Sequence, residues 1–348
     1  MADAIMSVRG LRVAYQGRRG SAQAVRGVDL DLFPGETLAL IGESGCGKST
    51  LGFSLIRLSP SNAKITDGNI IFRGRGQETA VLQLSTEALR RYRWQDCALV
   101  LQSALNAFNP VIRVRDHFID TAKAHGLRNV KEIEQRAAQL LTWVQLDPKR
   151  VLPAYPHELS GGMRQRLLLA LGLLLEPRVV ILDEPTTALD VLTQRSIIEM
   201  LQRLKAKLGF TMILISHDLS LAAELADRVA TMYAGQIIEL ADVYTIFDRP
   251  AHPYTLGLIH AVPTLGGRTA KLVSIPGSPP DLVELPKGCA FHPRCQYATD
   301  LCRNEEPTTI TIEKGHTLQC HHWKQVADLA AQMAKPGQEL ASGGVTNV

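Results

Sequence analysis

GESGCGKST, Gly42 to Thr50, decides how the rest of this 348-residue sequence is read. It fits G-x-x-x-x-G-K-[ST]. An apolar run before it, ETLALIG (Glu36–Gly42), reads as a buried strand, and STLGFSLIRL after it is compatible with a helix. In that order the stretch is a phosphate cradle. Gly42, Ser44, Gly45 and Gly47 form a loop whose backbone N–H groups can curl around phosphate oxygens. Lys48 can reach the β- and γ-phosphates, and Ser49 can offer its hydroxyl to Mg²⁺. Thr50 follows at the start of the helix, whose N-terminal field favours an anion.

Two further stretches supply what such a cradle lacks. In VVILDEP (Val179–Pro185), four apolar residues deliver Asp183 to the end of a buried strand. There a carboxylate can hold Mg²⁺ through water. Glu184 is adjacent, points differently, and is placed to act as a general base on an attacking water. Alone, the pair would read equally well as helix-capping acids; beside the cradle it does not. LSGGMRQR (Leu159–Arg166) offers Ser160, Gly161 and Gly162 as a second anion nest at a helix start. Read alone, it is an N-capped helix. One cradle can use a second nest on the same γ-phosphate only if another subunit brings it, so a dimer is expected.

The remainder fits an α/β protein. TMILIS (Thr211–Ser216) reads as another buried strand of a mostly parallel sheet. Between Asn106 and Glu176 the pattern turns helical, with apolar positions at Ile133, Ala137, Leu140, Leu141 and Val144. From Asp248 prolines punctuate the chain: DRPAHPY, then IPGSPP at Ile275–Pro280. The net charge of +4 is too small for a dense nucleic-acid-binding face, so no nucleic acid is expected. MADAIMSVRG lacks a signal-peptide pattern. The longest apolar run, LLLALGLLL (Leu167–Leu175), is far shorter than the roughly 20 residues of a spanning helix.

As a set these motifs resemble the nucleotide-binding subunits of ABC transporters. Tyr15 in RVAYQG, the loop at Gly42–Thr50, Gln102 in VLQSALNAFNP, LSGGM, Asp183–Glu184, TALD at Thr187–Asp190 and His217 in LISHD stand in that family's order. The resemblance implies a head-to-tail dimer with two ATP sites. In each, the loop of one chain faces Ser160–Gly162 of the other. It implies that Tyr15 stacks on adenine, that Gln102 senses Mg²⁺ and the attacking water, and that His217 contacts the γ-phosphate. HPYTLGLIHAVP, IPGSPP, CAFHPRC and SALNAFNP are similar to ATPases of dipeptide and oligopeptide importers. The implied partners are two transmembrane permease subunits, a second ABC ATPase chain in a heterodimer, and an extracytoplasmic peptide-binding protein. The implied place is peripheral, on the cytoplasmic face of the inner membrane. Nickel, opines or glutathione are alternative cargoes, and a soluble non-transport ABC ATPase is the alternative class.

The expected architecture is an ABC-type P-loop ATPase core, residues 1–245, with a helical subdomain at about 103–177. A small cysteine-rich C-terminal extension would occupy 246–325, and a mobile tail 326–348. Four of the six cysteines fall in that extension, Cys289, Cys295, Cys302 and Cys320, spaced C-x5-C-x6-C-x17-C. Zinc ribbons prefer tighter pairs. Four thiolates suit a [4Fe–4S] cluster, and relatives with this extension resemble iron–sulfur proteins here. His292, His316, His321 and His322 keep a mixed Cys/His zinc site open, and simple packing thiols are the third possibility. A structural staple is the expected role, because a small Pro-rich segment buries little core.

Overall fold

The computed structural model describes residues 3–101, 107–187, 189–261 and 275–333. The chain forms two compact units: Met1–Ile237 with Pro279–Leu285, and Ile238–Ser278 with Pro286–Val348. The expected division after residue 245 falls inside the second unit, and residues 279–285 return to the first.

The first unit holds two sheets. Strands β1 (Met6–Gly17), β2 (Gly20–Leu32), β4 (Ala63–Gly74) and β5 (Gln77–Ala80) form an antiparallel sheet in the order β2-β1-β4-β5. Tyr15, near the end of β1, pairs with Ala22 on one side and Ala63 on the other. Strands β3 (Thr37–Ile41), β6 (Cys97–Val100), β7 (Val179–Asp183), β8 (Thr211–Ile215) and β9 (Arg228–Tyr233) form the core sheet. Their order is β9-β3-β8-β7-β6, and every pairing is parallel. β3, β7 and β8 are buried at every residue, as short continuous apolar runs require. A parallel sheet puts the C-terminal ends of all its strands on one edge. Ligands bind there in open α/β folds, and Gly42, Asp183 and Ser216 sit there or one residue beyond.

The helical stretch between β6 and β7 contains Val114–Ala124, Val130–Trp143, Pro148–Val151 and Gly161–Gly172. The five apolar positions that predict a helix near residue 140 are all buried, and Leu140 and Leu141 are fully so. Asn129 caps that helix by accepting from the Glu132 N–H. Each such leucine contributes about 1.5–3 kcal/mol by leaving water.

In the second unit, β10 (Gln236–Asp242), β12 (His316–Leu318) and β11 (Ile310–Glu313) pair antiparallel. The helices Pro253–His260 and Trp323–Met333 share a small apolar cluster of Leu256, Val326 and Ala330. The second helix covers residues 326–333 of the expected tail, and the rest of it, 334–348, lies outside the described residues. Glu239 anchors this unit. Fully buried, it accepts from the N–H groups of Ala251 (2.7 Å) and His252 (3.1 Å), and it pairs with His316 Nε2 at 2.9 Å. His252 Nδ1 accepts from the Tyr254 N–H at 3.0 Å, and burial lowers the His252 pKa to about 4.

Candidate functional site

The loop after β3 is shaped by what lies behind it. Gly42 has φ +145°, and a Cβ there would stand 2.3 Å from the Met232 carbonyl oxygen. At Gly47, φ +109°, it would stand 2.2 Å from the Ala24 carbonyl oxygen. Backbone sits where a side chain would be, so only glycine fits at either place. Lys48 is buried, and its Nζ donates to the carbonyls of Gly42 (2.7 Å) and Glu43 (2.9 Å) and to Cys46 Sγ (3.6 Å). Cys46, inside the loop, thus touches the key lysine. Burial raises its pKa against the lowering effect of Lys48, which keeps it a thiol.

The two expected Mg²⁺ ligands meet across the sheet edge: Ser49 Oγ donates to Asp183 Oδ1 at 2.9 Å. Burial raises the Asp183 pKa, the Ser49 bond lowers it, Glu184 raises it and Lys48 lowers it. A hydroxyl and a desolvated carboxylate side by side, a lysine close by, fit a hard cation carrying phosphates. Ser49 and Asp183 are the residues that would hold Mg²⁺.

Glu184 sits at φ +49°, a left-handed conformation that costs a non-glycine residue about 1–3 kcal/mol. Its N–H donates to the Ile215 carbonyl on β8 at 2.9 Å, which holds the turn. Its carboxylate accepts from Thr187 Oγ1 (2.9 Å) and lies 3.2 Å from His217 Nδ1. Glu184 and His217, from neighbouring strand ends, are therefore one cluster. Thr187 is a member that motif reading treats only as part of TALD. Tyr15 contacts the phosphate loop instead, its hydroxyl 3.1 Å from Thr50 Oγ1.

Two predicted groups stand outside this cluster. Gln102 lies outside the described residues. Ser160 caps its own helix, accepting from the Met163 N–H at 3.3 Å, and Ser160 and Gly161 face solvent. Among the described residues no hydrogen bond joins Ser160–Gly162 to the loop at 42–50.

In the second unit, Cys289, Cys295, Cys302 and Cys320 line one cavity with His292, His321 and His322. Burial raises the pKa of Cys289, takes Cys295 to about 11 and takes Cys320 to about 12, with the other thiols adding to the rise. His316 does not join them, because Glu239 engages it. The mixed zinc set loses that member. Among the described residues no group of three or more His, Cys, Asp or Glu side chains is arranged to hold a metal ion, so the expected [4Fe–4S] cluster has no geometric support. No described helix is long and apolar enough to cross a membrane.

A phosphate loop, a Ser–Asp pair on the sheet edge and a glutamate held by threonine and histidine define a P-loop nucleoside triphosphatase. The comparisons narrow the class. Residues 25–187 match the ABC transporter family model, and residues 238–302 match the oligopeptide/dipeptide transporter C-terminal region. The chain is 43% identical over 322 residues to the dipeptide transport ATP-binding protein DppD of Caldanaerobacter subterraneus, covering 92% of this chain and 98% of that one. It is 38% identical to the oligopeptide transport ATP-binding protein OppD of Escherichia coli, over 88% and 90% of the two chains. The structure of cbiO1 from Clostridium perfringens, part of the ABC transporter complex cbiONQ, superimposes with TM-score 0.59 at 26% identity, over 70% of this chain and 91% of that one. The chain belongs to the ATP-binding subunits of ABC transporters, in the branch that carries the oligopeptide/dipeptide transporter C-terminal region. Its activity is ATP hydrolysis coupled to transport.

Proposed function

We propose that this chain powers import of peptides through a membrane permease, hydrolysing ATP at the site built from Lys48, Ser49, Asp183, Glu184 and His217. The observation that carries the reading is the joining of Ser49 to Asp183 and of Glu184 to His217 and Thr187 on one sheet edge. The matched C-terminal region and the peptide-transport names of the relatives support the cargo class.

Lys48 and the loop N–H groups of Gly42–Thr50 bind the phosphates. Mg²⁺, when bound, neutralises phosphate charge. Glu184 takes the proton of the attacking water, with Thr187 and His217 fixing its carboxylate, and His217 faces the γ-phosphate. Tyr15 stacks on the base. Gln102 orients the water and links to the permease. The exposure of Ser160 and Gly161 supports the reading that the signature serves a second ATPase chain. ATP binding closes such a dimer and hydrolysis reopens it. The partners in this reading are two permease subunits, another ATPase chain and an extracytoplasmic peptide-binding protein, with this chain peripheral on the cytoplasmic face of the inner membrane.

The nucleotide-binding domain is residues 1–245 in this scheme, and the extension is 246–325. The four cysteines of the extension are proposed as thiolate ligands of a [4Fe–4S] cluster that staples it. What supports this donor set is the number and spacing of the four cysteines in the sequence. Anaerobic purification with iron and zinc counted per chain tests it. About four irons with brown absorbance support the cluster; one zinc replaces it, and no metal leaves packing thiols. Cargo is tested by reconstituting the permease in vesicles and following labelled di- and oligopeptides. ATP-dependent uptake is expected, and uptake of a non-peptide instead would overturn the assignment.

A further inference from the structure

Pro279–Leu285, a segment of the C-terminal third of the chain, belongs to the nucleotide-binding unit. It lies against the β1–β2 hairpin, which carries Tyr15. β2 is the edge strand of its sheet, and there Gln23 N–H donates to the Leu282 carbonyl at 2.9 Å. Gly20, in the hairpin turn at φ +129°, is packed so closely that a Cβ on it would stand 3.1 Å from Val283 Cγ1. Arg19 pairs with Asp281 at 2.5 Å, and Asp281 also accepts from the Val283 N–H at 2.9 Å. The ion pair is exposed and adds little alone. The backbone bond at an open sheet edge and the close packing do more.

These contacts fall beside the platform residue. Gln23 follows Ala22, the cross-strand partner of Tyr15. Val283 lines one open cleft of about 310 Å³ together with Tyr15, Gln16, Arg18, Arg19 and Asn62. The size suits a small ligand. Tyr15 in turn reaches the cradle through Thr50.

We infer that Pro279–Leu285 is a positioning element for the nucleotide base: it braces the hairpin under Tyr15, walls the cleft with Val283, and so sets affinity for ATP through the base rather than through the phosphates. The inference rests on the reading of Tyr15 as the base platform. The C-terminal extension then contributes to the ATP site through a segment that ends four residues before Cys289.

The test is equilibrium binding of ATP and of inorganic tripolyphosphate, each with Mg²⁺, to the full chain. Wild type, Tyr15→Ala, Asp281→Lys and Val283→Lys are compared. Each lysine puts a cation against the arginines of the turn. The expected result is ATP binding weakened about fivefold or more, with tripolyphosphate changed by less than about twofold. Selective weakening in either lysine variant supports the brace. Tyr15→Ala weakening ATP while both lysine variants match wild type overturns the brace and leaves the platform reading standing. If Tyr15→Ala does not change ATP binding, the platform reading falls, and the brace with it. Equal loss of ATP and tripolyphosphate in the lysine variants also overturns it, because the defect then lies in the cradle or the fold.

Discussion

The nucleotide-binding unit places its working groups at the ends of parallel strands. The C-terminal unit places three of its thiols on loops and one, Cys302, on a five-residue helix. In the first, Gly42 follows β3, Asp183 ends β7 and His217 lies just past β8, three fully buried strands. Each group inherits its position from a strand that cannot shift without exposing apolar surface. In the second, the cavity walls are short segments, tied by hydrogen bonds such as Cys289 N–H to the Cys302 carbonyl at 2.8 Å. The two sites get their rigidity differently: the ATP site from a sheet, the thiol site from local bonds.

Substitutions in the two units separate these two sources of rigidity. The largest effect belongs to Glu184→Gln. It keeps the shape and the turn but removes the base, so phosphate release should fall about 10²–10⁴-fold while ATP binding persists. Turnover within a few-fold of wild type would take Glu184 out of its role. A core substitution comes next. Leu140→Ala empties a fully buried place among the helices and should cost about 2–5 kcal/mol in denaturant unfolding. Leu256→Ala, in the small cluster of the second unit, should fall at the low end of that range. Equal costs would mean that the second unit packs as tightly as the first. The smallest effect is Thr187→Ala. It removes one hydrogen bond to Glu184, worth about 1 kcal/mol, so turnover should drop about fivefold with ATP affinity kept. An unchanged rate would mean that His217 and the backbone suffice to hold the carboxylate.

Much of the ATP site is legible in the sequence because its parts are local. A strand, a glycine loop and a helix start occupy one continuous stretch, and Asp183 follows directly from its own apolar run. What is not legible is which side chains meet. Cys46 lies in the loop, yet only folding shows its sulfur against Lys48. Thr187 is three residues from Glu184, yet only the left-handed turn aims its hydroxyl back. His316 stands among candidate metal ligands in the sequence, but its partner Glu239 is 77 residues away. The return of residues 279–285 to the first unit leaves only the punctuation of prolines as a signal, and prolines mark a turn without saying what it meets.

The central claim is that nucleotide chemistry and the thiol site are separable tasks of two units, linked through the base platform. Cys320→Ser, purified without oxygen, tests it most directly when bound iron and phosphate release at saturating ATP are measured on one preparation. Turnover at saturating ATP is expected to stay within about twofold of wild type whatever metal the preparation carries or loses, since the mutation touches none of the groups that act on the γ-phosphate. Turnover that collapses together with the iron would contradict it, and would place the cysteines within the hydrolytic machinery.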